Sequence, residues 1–338
     1  MKLVFEILVP TLFFASSSLN FINFILFSSK SAEFKTSIVQ IIKINSIVDS
    51  VCTLILSVSF LGLCTLWYNV YILYLASFAS RVLNLYSSKL EIQIIIKRYV
   101  TLKRANDGIT TRFYNNRSIR TNKRFIFLQI SIILFCIFVY SPYLFLFEIK
   151  RIDSNKNNNV NLSYVNLNST GFVVEINKIG KENSYLFIMF SIFQIVIHTF
   201  NFLIMFLYSI LSILKMKEIV FKVSKPELSE LSTSFCQTNH AVAPRILNSI
   251  KTKEENTNSM ILFICLAFMT SEFSTLTGSV VGIYIRIYGS NRLINIILFI
   301  VLTIYTLSNS ATFFIYKKFN KTFSRKFKKI FVITRPMR

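Results

Sequence analysis

The chain has 338 residues, of which 53% are apolar and 16% charged, and it carries a net charge of +23. A water-soluble domain of this length carries far more charge, so composition points to a multi-span membrane protein. The cationic excess does not mark nucleic-acid binding, because the basic residues fall in particular loops between apolar segments, where the positive-inside rule explains them.

Seven apolar segments follow one another near residues 4–29, 38–62, 69–99, 124–148, 185–214, 258–285 and 293–316. Each offers at least the roughly 20 residues that a bilayer-crossing helix needs. The first contains Ala15-Ser16-Ser17, similar to a signal-peptidase site, but its apolar run continues to Phe27. That is too long for a signal core, and it reads as a first span.

The loops alternate in character. Lys30 and Lys35 lie in the first, and the third, Lys97 to Arg124, holds nine Lys/Arg against one acid, Asp107. The fifth loop and the tail are also basic, all of them cytoplasmic marks. The fourth loop, Lys150 to Ser184, is instead polar and low in complexity. Its sequons make Asn161 and Asn168 glycosylation candidates on an outside loop. Sequons at Asn116 and Asn320 fall on the expected inner side, so the motif has little weight alone. Charge bias predicts a plasma-membrane protein with its N-terminus outside and its C-terminus in the cytoplasm.

The last span runs from Asn291 to Tyr316 and gives way to KKFNKTFSRKFKKIF. There Phe319, Phe323, Phe327 and Phe331 recur every four residues, with Lys317, Lys318, Lys321, Arg325, Lys326, Lys328 and Lys329 between them. The spacing predicts an amphipathic helix within 317–338, lying in the interface with its cations against anionic headgroups of membrane lipids. Five cysteines and two histidines form no metal-binding spacing, and nothing marks catalysis. Gly and Pro are too scarce for the broken helices of a transporter.

Polar groups at membrane depth are costly and therefore candidate sites. They include Asn20, Asp49, Asn84, Ser87, Glu272, Ser308, Asn309, Ser310 and Thr312. An ionised Asp49 needs a partner, a cation or a proton. Asp49, Ser87, Ser308 and Thr312 could together form a sodium-sized cage, the one cofactor weighed here. Each serine could equally bond to a carbonyl of its own helix.

Several of these residues stand in a particular order. Asn20 precedes Lys30 by ten residues, and the run NSIVD ends at Asp49. Lys97-Arg98-Tyr99 closes span three, with Ser87 eleven residues before Arg98, and Thr312-Phe-Phe-Ile-Tyr316 closes span seven. The series resembles the first-span asparagine, LAxxD, D/E-R-Y, sodium-site serine and N-P-x-x-Y of rhodopsin-like G-protein-coupled receptors. In span six, Phe268-Met-Thr-Ser-Glu272-Phe is similar to the F-L-x-x-E-x-P pattern of invertebrate FMRFamide-type peptide receptors and related nematode chemoreceptors. There are departures. Lys97 replaces the acid that normally pairs with the arginine, although Glu91, seven residues before Arg98, could partly substitute. Ser274 stands where a kinking proline is usual, and the outer loop lacks a cysteine.

The resemblance implies an all-α bundle of seven transmembrane helices over residues 1–316, with a short amphipathic eighth helix. It further implies an extracellular ligand, a peptide before a small molecule, and a heterotrimeric G protein at the inner face. Arg81 and Glu272 become candidate ligand contacts, with Glu272 also readable as a toggle between states. Arg98, Tyr99 and Tyr316 become the candidate activation switch. His198, one turn after Gln194, reads as a helix-packing hydrogen bond. The alternative is a seven-span chemoreceptor channel of the insect type, which has its N-terminus inside; orientation separates the two.

Overall fold

The structure is a computed structural model describing residues 7–29, 37–60, 65–106, 118–152, 171–176, 184–224, 242–289 and 291–331. Its helices are α1 (Val9–Ser28), α2 (Ser37–Ser59), α3 (Leu66–Val70), α4 (Ser80–Asn106), α5 (Ser118–Tyr140), α6 (Pro142–Leu146), α7 (Ser184–Ser224), α8 (Val242–Tyr288), α9 (Arg292–Phe319) and α10 (Lys321–Phe331). A π-helical stretch, Tyr71–Ala79, joins α3 to α4. Two strands, β1 (Phe147–Ile152) and β2 (Gly171–Ile176), complete the described elements.

Among the described residues, six helical segments are long and apolar enough to cross a membrane: α1, α2, α5 with α6, α7, α8 and α9. The third expected span fails that measure because α4 carries Arg81, Lys89, Glu91, Lys97 and Arg98. Its position accounts for this: α4 packs against α2, α5, α7 and α8. A helix enclosed by protein can place polar side chains against partners, whereas a lipid-facing helix cannot.

Two helices outrun their expected inner limits: α7 continues to Ser224 and α8 begins at Val242. The apolar run stops at the edge of the hydrocarbon, but helical hydrogen bonding does not depend on lipid, and the basic sequence there contains strong helix formers. The fourth span, expected to reach residue 148, ends sooner. Pro142 has no N–H for the carbonyl of Phe138, and the Ser141 hydroxyl donates to that carbonyl instead, at 2.8 Å. After one turn of α6 the chain becomes extended. β1 then pairs antiparallel with β2, Phe147 opposite Ile176 and Ile152 opposite Gly171, which adds a ribbon to a chain expected to be all-α. At the C-terminal end of α8, Gly289 adopts φ +83° and donates its N–H to the Ile285 carbonyl at 2.9 Å. Glycine tolerates that left-handed position, and it closes the helix.

Small polar residues bring α1 and α2 together. The Ser17 hydroxyl donates to the Ser50 carbonyl at 2.8 Å, and the Ser50 hydroxyl donates back to Ser17 at 2.9 Å. Such interhelical bonds are a normal glue where lipid supplies no hydrophobic drive.

The helix after the last span is held by aromatic packing. Asn320 caps α10 by accepting from the Phe323 N–H at 3.0 Å. Phe323 is fully buried, with ring centroids 5.2 Å from Phe27, 6.0 Å from Phe313 and 5.9 Å from Tyr316. Lys326 donates to the Ser29 hydroxyl, and the Lys317 ammonium stands 4.7 Å over the Phe327 ring. Ile330 and Phe331 are exposed. Phe323→Ala is expected to cost about 3 kcal/mol, the usual loss for a buried phenylalanine. A lowered melting temperature of the purified chain checks this.

Candidate functional site

The polar side chains of α4 meet those of its neighbours at three depths. Near the N-terminal end of α4, the Arg81 guanidinium lies 4.6 Å from the Tyr143 ring centroid and donates to Gln194 Oε1 at 3.4 Å. The glycosylation candidates Asn161 and Asn168 lie outside the described residues. One turn further in, Asn84 accepts from the Tyr305 hydroxyl at 3.0 Å and donates to Thr275 at 3.4 Å, linking α4 to α9 and α8.

At mid-depth α4 touches two carboxylates from opposite sides. Towards α2, the Ser87 hydroxyl donates to Asp49 Oδ1 at 2.5 Å, while Asn45 Nδ2 donates to Asp49 Oδ2 at 2.9 Å. Towards α8, the Ser88 hydroxyl donates to Glu272 Oε2 at 2.5 Å. The other oxygen of Glu272 lies 2.8 Å from Nδ1 of His198 on α7, and His198 Nε2 lies 3.2 Å from the Tyr140 hydroxyl of α5. A proton on Nδ1 is donated to the carboxylate; a neutral ring then accepts from Tyr140 at Nε2. His198 and Glu272 are each 1% exposed. Tyr140, His198, Glu272 and Ser88 thus form one chain of contacts across four helices.

The expected sodium cage divides. Ser308 donates to the Ile304 carbonyl at 2.7 Å, within its own helix. Thr312 donates to the Asn309 carbonyl at 3.1 Å and accepts from Asn23 at 3.5 Å. Neither is hydrogen-bonded to Asp49, whose two oxygens are already served by Ser87 and Asn45. A sodium ion needs several converging oxygens, and the arrangement fits a hydrogen-bonded carboxylate better than a cage.

Towards the C-terminal end of α4, Arg98 lines a narrow crevice with Ile94, Ile95, Ile264 and Cys265, within electrostatic reach of Tyr316. Tyr316 is 3% exposed and stands edge-on to Phe27, at a centroid distance of 4.8 Å. Tyr99 is directed elsewhere, edge-on to Tyr208 of α7 at 5.7 Å. Lys97 lies over the Phe125 ring at 5.5 Å. Glu91, weighed as a substitute partner for Arg98, instead lies in the field of Asp49 and Glu272. It is on the same helical face as Ser87 and Ser88, which explains those neighbours.

No family model matches the chain, and no curated protein sequence does. Among solved structures it is similar to squid rhodopsin, with a TM-score of 0.56 and 13% identity over 98% of this chain and 85% of that one. The fold is that of rhodopsin. Within this rhodopsin fold, the long polar helix α4 is the element that carries contacts at every depth.

Several partners in this network had not been singled out. Lys89 donates to Asn201 Oδ1 at 2.5 Å, and Gln129 of α5 accepts from Tyr86 and donates to Gln93. The rule that a charge at membrane depth marks a site would have found Lys89. Asn201 and Gln129 carry the weaker signal of an uncharged amide, the one that singled out Asn20, Asn84 and Asn309.

Proposed function

We propose that this chain is a G-protein-coupled receptor, binding an extracellular ligand among the outer halves of the helices and activating a heterotrimeric G protein at the inner face. The rhodopsin fold supports the class. The observation that carries the reading is the Tyr140–His198–Glu272–Ser88 chain, which ties α4, α5, α7 and α8 together at mid-depth between Arg81 and Arg98. Helices joined by a few specific polar contacts can hold two discrete packings, which is what a ligand-driven switch requires.

On this reading Glu272 is a toggle rather than a ligand contact, since both its oxygens are engaged by internal partners. Arg81 is the ligand contact, and Arg98 with Tyr316 forms the inner switch. Tyr99 belongs to the α4–α7 contact that must shift when the inner crevice opens. A peptide ligand is favoured by the span-six resemblance, with small molecules next.

The orientation is directly testable. An epitope placed after Arg338 is expected to bind antibody only in permeabilised cells, with the tail at the G-protein side. Staining of intact cells would invert the topology and move the reading to a chemoreceptor channel.

A further inference from the structure

The mid-depth cation Lys89 is not used by the proposed switch. It stands eight residues after Arg81 and nine before Arg98, about 12 to 14 Å from each along the helix axis. Its ammonium donates to Asn201 Oδ1 of α7 at 2.5 Å and lies 5.9 Å from the Phe135 ring centroid of α5. Among the described residues it forms no ion pair. The acid that acts on it from α8 is Glu272, whose oxygens are taken by His198 and Ser88, and from α5 it faces the Cys136 thiol.

Asn201 is 0% exposed, and its Nδ2 has no hydrogen-bond partner. This amide nitrogen belongs to the same carboxamide that receives the lysine. The spare hydrogen-bonding groups at this spot are therefore all donors: the remaining N–H groups of an ammonium and a carboxamide NH2. Such a set is completed by an anion with at least two acceptor oxygens, the charge-assisted geometry a carboxylate provides. Lys89 is half-buried, while Phe135, Phe138 and Phe200 on α5 and α7 are exposed, as expected of surfaces against lipid.

Depth decides what kind of anion can arrive. A phospholipid phosphate stays at the interface, roughly 15 Å from the middle of a 30 Å hydrocarbon core. An unesterified fatty acid can cross the core and carry its headgroup to mid-depth. We propose that half-buried Lys89, where α4 meets Asn201 of α7 and Phe135 of α5, binds the carboxylate of a long-chain fatty acid entering from the bilayer, with the Asn201 carboxamide beside it. The inference does not depend on the receptor reading.

The test uses the full chain purified into phosphatidylcholine nanodiscs and a photoreactive long-chain fatty acid. Labelling is expected on α4, α5 and α7, with oleate competing and oleyl alcohol and phosphatidylglycerol failing to compete. Lys89→Gln is expected to reduce labelling about tenfold, as loss of one charge-assisted contact implies, and Lys89→Arg to retain most of it. Asn201→Leu provides a second variant should Lys89→Gln fail to fold, and the competition on the unaltered chain requires no variant. Equal competition by oleyl alcohol, competition by phosphatidylglycerol, or unchanged labelling of folded Lys89→Gln would overturn the site.

Discussion

His198→Leu is expected to destabilise the bundle by about 1–3 kcal/mol, the range for leaving a buried hydrogen-bonding group without its partner. The loss comes mainly from what remains. Glu272 would keep the Ser88 hydroxyl but would face an apolar side chain where it now has an imidazole at 2.8 Å. Tyr140 would lose the acceptor for its hydroxyl in the same step. Apolar replacement of both partners removes the stranded polar group, so the double variant His198→Leu/Glu272→Leu should recover most of the loss. Cys52, Cys136 and Cys265 are free and buried, so a thiol-reactive dye reports unfolding directly in a thermal melt. A double variant no more stable than His198→Leu alone would show that the histidine and the carboxylate are not coupled.

Arg98→Ala is the variant with the largest expected effect on signalling. Arg98 is the cation of the inner crevice, and Tyr316 and Cys265 lie in its field. On the proposed reading it changes partner when α8 moves, so its removal should lower G-protein nucleotide exchange by about 5- to 150-fold, the span of ordinary coupling energies. Surface expression should be unchanged, because Arg98 is only half-buried and makes no hydrogen bond on which a neighbouring helix depends among the described residues. Tyr316→Phe keeps the ring against Phe27 and removes the hydroxyl, which separates packing from polarity at the same place. Exchange by Arg98→Ala equal to that of the unaltered chain would remove Arg98 from the switch.

Much of the site was legible one residue at a time and illegible in pairs. Asp49 and Glu272 stood out because a carboxylate at membrane depth is costly wherever it is placed. Ser87 was grouped with Asp49 and does serve it, but that Asn45 would be its second partner, and that Ser308 and Thr312 would turn to backbone carbonyls, was not visible. Serine and threonine hydroxyls can always reach a carbonyl one turn back, and only the rotation of α9 decides whether they do. His198 was expected to make a packing hydrogen bond and does so, but the choice of Glu272 depends on how α7 and α8 are turned towards each other. Lys89 was overlooked although it meets the same depth rule.

The sequence by itself determined that this is a membrane protein, where most of its helices run, and that a basic helix rich in phenylalanine follows the last span. Those properties follow from local quantities: apolar run length, a period of four, and charge counted loop by loop. The tertiary structure alone decided that the most polar of the long helices lies at the centre, that β1 and β2 pair as a ribbon, and which hydroxyl, imidazole or amide meets each buried polar group. Hydrogen bonds act over about 3 Å, and the residues they join here are up to 297 positions apart, as in Ser29 and Lys326. Partner choice is therefore set by the relative rotation of packed helices, a property of the assembled bundle that no single segment encodes.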